Sequence, residues 1–542
     1  MKFLPLLFLA EALLLQWLGG AYASGFGGHP DEAAHFVSSV MVHDFLVHPG
    51  AGQPIAFAQQ FYLHYPKVAI GNWPPLLHGL LALWYLVSGV SRASALVLVA
   101  VFAAATAALM AAAARRLLSP VAGVFAGAVY LALPLVQQSS AVVMTEHLVT
   151  LLILASTLAF ARFARSRTAV DALLFGGLAS AAILTRGSAW ALAAVPPIVI
   201  ALTGEWRLLI NWRLWLAALM VGALCVPWYV ATRGMSPNAM VGIDATAPAA
   251  FFQQAAAYFP LAALRAIGLA MTVLAALGVW HTMLRRPSPA AVPPPASATS
   301  AARRPAEWPA LAAMAIGVLL IQCVVPAGIE QRYMLQLLPA LVLFAAAGLH
   351  WLVTRGAPAT AWSAAAIIIL LTMFHVPDTM RNSGYDQIAA DLASQPTPTL
   401  LLISDARGEG SMVAAIALRD RRPHSLALRG SKLLVSEDWL GRGSQPRFAT
   451  GDAMRAMLDA IPVNAVVIDH AIEANQARPY HQQIEQLLQA DSEHWQRHAS
   501  YDITRYGQQY PHAVDVYLRR PRDGDAAQTI NLAYLGQLMQ RQ

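Results

Sequence analysis

The sequence predicts a polytopic α-helical membrane protein with a C-terminal soluble α/β domain. Three observations carry that prediction. Hydrophobic residues fill 57% of the 542 positions and charged residues only 12%, about half the charged share of soluble domains. Many apolar runs are long enough to cross a hydrocarbon core of ~30 Å. After residue 378 the composition changes to short apolar runs alternating with polar ones. The net charge of +7 does not mark a nucleic-acid binder, because the arginines gather in short loops between apolar runs, where they set topology. The two cysteines, Cys225 and Cys323, sit in apolar runs and suggest neither a disulfide framework nor a thiolate metal site.

The first span covers residues 3–23. It ends in Ala21-Tyr22-Ala23, which resembles a signal-peptidase site, but its length suits a retained helix. Residues 25–75 form a first outer loop. Within it, 32–47 is amphipathic and 61–67 is aromatic, a composition expected to lie along the membrane interface. Asn72-Trp73-Pro74-Pro75 closes the loop. Apolar segments follow at roughly 76–91, 93–114, 120–136, 148–163, 169–184, 188–202, 214–230, 260–282, 308–326, 336–354 and 360–377, giving about 11–13 spans in all.

Basic groups at Arg115-Arg116, at Arg162, Arg165 and Arg167, at Arg207 and Arg213, at Arg285-Arg286 with Arg303-Arg304, and at Arg355 fall at alternate loops. One threading puts them all in the cytoplasm. It cannot hold both 76–91 and 93–114 as full crossings, so the shorter is expected to be re-entrant or wrongly bounded. Residues 285–307, rich in Pro, Ala and Ser, read as a flexible cytoplasmic linker. The chain thus divides into a membrane domain, 1–378, and an outer domain, 379–542.

In the outer domain, 399–405, 425–428, 464–469 and 513–518 read as strands, and 409–420, 451–460 and 481–490 as helices. That alternation argues a small α/β fold. Arg407-Gly408-Glu409-Gly410 follows the first strand. It is either a structural turn or an anion contact at a helix start.

Charges within spans cost ~2.5–3.5 kcal/mol each and usually face a cavity or a partner. Asp31-Glu32, Glu146, Arg186 and Glu330 with Arg332 all fall at the outer ends of spans. Two carboxylates suit a divalent cation such as Mg or Mn, and arginine forks match phosphate oxygens. Each residue alone reads as an interfacial side chain reaching for water, and Pro30-Asp31-Glu32 also reads as a helix start. Their grouping on one side is what points to function.

Pro30-Asp31-Glu32, Tyr65-Pro66-Lys67, Trp73-Pro74-Pro75-Leu76-Leu77-His78, Glu146, Leu184-Thr185-Arg186-Gly187 and Arg332-Tyr333-Met334-Leu335 together resemble the GT-C superfamily of polyprenyl-phosphate-sugar-dependent glycosyltransferases. They are most similar to its family 39, which includes protein O-mannosyltransferases and lipid A aminoarabinose transferases. The resemblance covers roughly residues 1–375. It implies a sugar donor on polyprenyl phosphate and a hydroxyl acceptor on a lipid, glycan or protein. It implies a bacterial inner-membrane location, with the site and the outer domain on the periplasmic side. Asp31 and Glu32 are the implied catalytic carboxylates, Asp31 as base and Glu32 positioning the loop. Asp31 and Glu146 are the implied ligands of a divalent cation. Arg186, Arg332, Tyr333 and Lys67 are the implied donor-phosphate ligands. Glu146 stands where the family usually has Asp, and Lys67 stands seven residues before Pro74 instead of adjoining it. The competing classes are a transporter or flippase of a lipid-linked sugar and a non-enzymatic membrane scaffold.

Overall fold

The computed structural model describes residues 3–48, 52–68, 71–233, 248–285, 305–356, 382–395, 399–420, 424–436, 443–473, 476–508 and 511–520, with most of 359–368. The expected linker, much of the 233–258 loop, most of the span at 360–377 and the boundary at 378 lie outside the described residues.

The membrane helices are α1 (Leu4–Leu18), α4 (Leu76–Ser88), α5 (Arg92–Leu117), α6 (Pro120–Ala132), α7 (Pro134–Ser140), α8 (Glu146–Ser166), α9 (Ala169–Ile183), α10 (Val195–Thr203), α11 (Trp212–Thr232), α12 (Pro248–Val279), α13 (Glu307–Val324) and α14 (Leu338–Thr354). Between α1 and α4 lie α2 (Glu32–Val47) and α3 (Pro54–His64). Among the described residues six helices are long and apolar enough to cross a membrane, or seven if the bent pair α6–α7 is one span, and four apolar helices are shorter. The 60° bend is placed by Pro134. Leu133 before it is extended, the conformation that a following proline favours.

The segment at 76–91 does not cross. Its 13 residues reach only about 20 Å. The Leu76 N–H donates to Leu184 O at 3.0 Å, and Trp84 Nε1 donates to Ser94 O at 2.9 Å. Both helix ends therefore stay at the end of the bundle where α5 begins, which removes the conflict in the threading. The structure also buries α2 more deeply than an interfacial helix. It is buried from Glu32 to Met41, packed between α4 and the outer domain.

The outer domain runs α15 (Tyr385–Ser394), β1 (Thr399–Ile403), α16 (Ala406–Arg419), β2 (Leu426–Arg429), the single turn α17 (Gly430–Leu433), β3 (Val435–Ser436), β4 (Gln445–Pro446), α18 (Gly451–Ala460), β5 (Ala465–Asp469), α19 (Pro479–Ala490), β6 (Trp495–Ile503) and β7 (His512–Arg519). The main sheet has the order β2-β1-β5-β7-β6. The first three strands are parallel and the last two antiparallel. Side chains alternate across β1. Leu400 and Leu402 join one apolar cluster with Phe36, Val37 and Val40 of α2, while Leu401 and Ile403 join the cluster on the other face. The sheet domain thus shares a core with the outer loop and does not stand off from it.

Candidate active site

Asp31 and Glu32 are adjacent but differ in every physical respect. Glu32 is fully buried. Its carboxylate accepts from the backbone N–H groups of Gly27 (3.1 Å), Gly28 (3.0 Å) and Val143 (3.3 Å) and from Arg92 Nε at 2.9 Å. Arg92 in turn donates to Ala21 O, Ser24 O and Ala141 O. Glu32 is therefore saturated. It belongs with the positioning of the loop and not among groups that could touch a substrate. Asp31 precedes α2, yet its carboxylate caps none of that helix's N–H groups. Its side chain is 33% exposed, with Oδ2 3.6 Å from Arg332 Nη2 and 3.6 Å from His29 Nδ1. That leaves it open to solvent and to a ligand. The Asp31 N–H donates to His29 Nδ1 at 3.1 Å, which puts the ring proton of a neutral His29 on Nε2, facing Glu330 Oε2 at 3.3 Å.

Glu146, Arg186 and Arg332 meet from three separate segments, and Arg332 links them to Asp31. Arg186 Nη1 donates to Glu146 Oε1 at 2.5 Å and to Thr145 Oγ1 at 3.3 Å. Arg332 Nη1 donates to the same Glu146 Oε1 at 3.0 Å. Its Nε and Nη2 grip Glu330 at 2.7 and 3.0 Å. Glu146 is buried, and its Oε2 has no hydrogen-bond partner. Both guanidinium groups stack on Tyr333, at 4.7 and 5.1 Å from the ring centre. The Tyr333 hydroxyl donates toward Ala327 O (3.0 Å) and Glu330 Oε1 (3.1 Å). Tyr333 is thus a platform for the arginines and does not present its hydroxyl to a phosphate. Burial pushes Glu330 up, but His29 and Arg332 together hold it below the usual carboxylate range.

The expected metal pair does not form. One guanidinium, that of Arg332, contacts both Asp31 and Glu146, and Arg186 takes the same Glu146 oxygen. Among the described residues no group of three His, Cys, Asp or Glu side chains is arranged to hold a metal ion. The two acids hold arginines, so their placement fits an anion clamp and not a divalent cation.

Lys67 comes to this site against the outer domain. Its Nζ donates to Ala406 O at 3.3 Å, at the first turn of α16. A Cβ at Gly410, one turn on, would stand 3.0 Å from Lys67 Cε and 3.3 Å from Ala33 Cβ. The bare backbone of Gly410 is what lets Lys67, α16 and the first turn of α2 meet. Tyr65 Oη donates to Asp420 Oδ2 at 2.8 Å and His64 Nδ1 to Ser425 O at 3.0 Å, fixing the same stretch. Burial, then the nearby Arg429, pushes the half-buried Lys67 ammonium down to about 7, opposed by Asp31 and Glu409. The Arg407–Gly410 turn itself is structural, because Asp405 accepts from the Arg407 and Gly408 N–H groups at 3.0 and 2.8 Å.

His29 and Arg92 were not singled out by the sequence, and Glu330 entered only as one of the charged groups at the outer ends of spans, without a role in the site. Their signals were faint: His29 lies two residues before Asp31, Glu330 two before Arg332, and Arg92 between two apolar runs. Below them, His35 Nδ1 lies 3.1 Å from His78 Nε2 and its ring 4.6 Å from that of Trp73. Burial and His78 hold His35 well below its ordinary value, so it is a neutral wall.

A second charged cluster lies at the carboxyl ends of β1 and β5. Arg505 Nη1 donates to Asp405 Oδ2 at 2.6 Å, Nη2 to Ser404 Oγ at 2.8 Å and to Asp469, and Nε to Tyr385 Oη at 2.6 Å. Tyr385 and Ser404 both donate to Asp469 Oδ2 at 2.7 Å. Every member is buried.

Comparison with known proteins bears on the fold that carries these residues. Residues 72–230 match the family described as dolichyl-phosphate-mannose-protein mannosyltransferase. No curated protein sequence matches significantly. Among solved structures, the chain is similar to ArnT from Cupriavidus metallidurans bound to undecaprenyl phosphate, at 14% identity and a TM-score of 0.56, covering 94% of this chain and 97% of that one. It is also similar to the archaeal oligosaccharyltransferase AglB from Archaeoglobus fulgidus, in complex with an inhibitory peptide and a dolichol-phosphate, at 12% identity and a TM-score of 0.52, covering 86% and 70%. The segment 72–230 thus matches the model of that mannosyltransferase family, and the chain has a fold similar to those of ArnT and AglB.

Proposed function

We propose that this protein is a membrane glycosyltransferase that moves a sugar from a polyprenyl-phosphate carrier to a hydroxyl acceptor on a lipid, glycan or protein, at the outer face of a bacterial inner membrane. The observation that carries the reading is the half-open Asp31 carboxylate beside Arg332, which stacks with Arg186 on one tyrosine. The Asp31 carboxylate caps no N–H group of the helix it precedes. The shared fold with ArnT and AglB, whose solved structures hold undecaprenyl phosphate and dolichol-phosphate, supports a lipid-phosphate donor.

The chemistry follows from the charges. Asp31 takes the proton of the acceptor hydroxyl. The hydroxyl oxygen attacks the anomeric carbon as the bond from that carbon to the phosphate oxygen breaks, so the anomeric centre inverts. The bonding pair leaves on the polyprenyl phosphate. Arg186, Arg332 and Lys67 stabilise the charge that grows there, and no strong general acid is needed. Glu146 and Glu330 hold the two arginines in place between turnovers. No step is routed through a metal.

The test is turnover of a panel of radiolabelled polyprenyl-phosphate sugars by the purified protein in detergent, with the product anomer read by NMR. Release of polyprenyl phosphate from one donor with an inverted product supports the reading. Retention of the anomeric configuration contradicts direct displacement. Passage of intact lipid-linked sugar across proteoliposomes without release contradicts transfer.

A further inference from the structure

The cations of the site are held by different parts of the molecule. Arg186 and Arg332 are paired with Glu146 and Glu330 of the membrane domain. The Lys67 ammonium instead meets a backbone carbonyl of the outer domain, Ala406 O. The three residues before it bond to the same domain. His64 bonds to Ser425 O and Tyr65 to Asp420, and Asp420 Oδ2 also accepts from the Ser425 N–H at 2.7 Å. The Pro66 carbonyl accepts from Arg429 Nη1 at 3.5 Å. Four consecutive residues of the first outer loop are thus tied to α16, to β2 and to their ends.

Arg429 closes β2 and is itself anchored. Its Nε donates to Glu409 Oε2 at 2.7 Å, with the two side chains 11% and 0% exposed. Glu409 also accepts from the Ser431 N–H at 2.8 Å and from Ser431 Oγ at 2.5 Å. These bonds hold the guanidinium from the outer-domain side and leave Nη1 against Pro66. The carbonyl next to Lys67 is therefore held by a group that can move only by breaking a buried ion pair, which is costly. The charges that reach the Lys67 ammonium are those of Arg429, Asp31, Glu409 and Lys432. Arg429 and Lys432 repel it, while Asp31 and Glu409 attract it. Arg429 has the largest effect of the four, and it adds to burial in making the ammonium give up its proton more readily.

We propose that Arg429 is a positioning residue for the transfer reaction: through Pro66 it fixes where the Lys67 ammonium stands against the donor phosphate. The outer domain then completes the donor site, and a membrane domain without it keeps Arg186 and Arg332 but not a placed Lys67. The inference rests on the transferase reading, in which Lys67 touches the donor phosphate.

The test is the pH profile of donor kcat/KM for the full chain in detergent, with the radiolabelled undecaprenyl-phosphate sugar that wild type turns over. The phosphodiester of such a donor keeps one charge across the range, so the alkaline decline reports the protein. Wild type is compared with Arg429→Gln and with Arg429→Gln/Glu409→Gln, each checked for melting temperature. Arg429→Gln is expected to lower donor kcat/KM about three- to tenfold at about pH 6, where Lys67 is charged with or without its neighbour. It should also move the alkaline decline upward by roughly 0.5–1 pH, because the repelling charge is gone. The double variant removes the buried pair whole, which a fold tolerates better than a broken pair. It should move the decline the same way by less, since Glu409 favours the ammonium that Arg429 disfavours. In a Lys67→Met background, with no ammonium to place, Arg429→Gln is expected to cause no further loss. A decline that stays at the wild-type pH in both variants overturns the proposal, as does an equal loss of turnover with and without Lys67. Wild-type turnover by Lys67→Met overturns instead the donor-site role of Lys67 from which the inference starts.

Discussion

The buried arginine–carboxylate networks around Arg505 and around Arg332 differ, and the contrast between them separates structure from chemistry. Around Arg505 every donor has an acceptor: Asp405, Asp469, Ser404 and Tyr385 close a shell at 2.6–2.8 Å. Around Arg332 the shell is incomplete. Asp31 is held only loosely, at 3.6 Å, and is one-third exposed. Glu146 Oε2 has no partner, and two arginines share one oxygen. The first network sits where open α/β sheets usually bind ligands, yet it is filled by its own side chains. The second has two cations gathered on one tyrosine, with the half-open Asp31 carboxylate beside Arg332. A saturated network locks a fold. An unsaturated one leaves groups free to meet a ligand.

Substitutions can break or sharpen this contrast. The largest effect is expected for Asp31→Asn, with turnover falling roughly 10²–10⁴-fold and no loss of melting temperature, measured by donor release and calorimetry. Arg505→Met should show the reverse. Removing one partner of a buried ion pair costs about 3–5 kcal/mol, so denaturant unfolding should reveal an unstable outer domain. A third test, Arg186→Met, should lower donor turnover about 10²–10³-fold, while Glu146 loses a partner and stability falls less than in Arg505→Met.

A smaller effect is expected for Gly410→Ala. The new methyl meets the flexible end of Lys67, so the fold should tolerate it while the lysine shifts. Donor kcat/KM should fall about three- to tenfold, and the effect should vanish in a Lys67→Met background, as a double-mutant cycle would show. The subtlest test is pH. Lys67 loses its proton near 7 in the folded protein against 10.5 when unperturbed. Donor kcat/KM should therefore decline as pH rises above about 7, and the decline should be absent in Lys67→Arg, whose guanidinium stays charged. The unfolded chain holds that proton up to 10.5, so the same shift makes the folded state gain stability as pH rises from 7 toward 10.5.

Much of this arrangement was legible in the sequence, because charge is expensive inside a membrane. Asp31, Glu146, Arg186 and Arg332 stood out as polar groups at one depth, and the structure brings all four together. The strands of the outer domain were legible where both faces are buried, as in β1 and β5. The strand β6 escaped notice because Gln496, Arg497 and His498 are exposed and the strand lies at the sheet edge. The role of Arg92 was hidden because an arginine beside an apolar run reads as a topology signal, and only the fold turns it toward Glu32. The partner of the two acids was hidden for a related reason. Two acids at one depth suit a cation, but which cation fills the space between them depends on Arg332, three hundred residues away from Asp31 in sequence. The contact of Gly410 with Lys67 had no sequence signal, since a glycine after a strand reads as a turn.

The most direct measurement is donor consumption by Asp31→Asn beside wild type, each checked for melting temperature, with the sugar that wild type turns over. The open-network reading predicts a folded variant that no longer releases polyprenyl phosphate. A folded variant that turns over at the wild-type rate would contradict it and remove Asp31 from the chemistry.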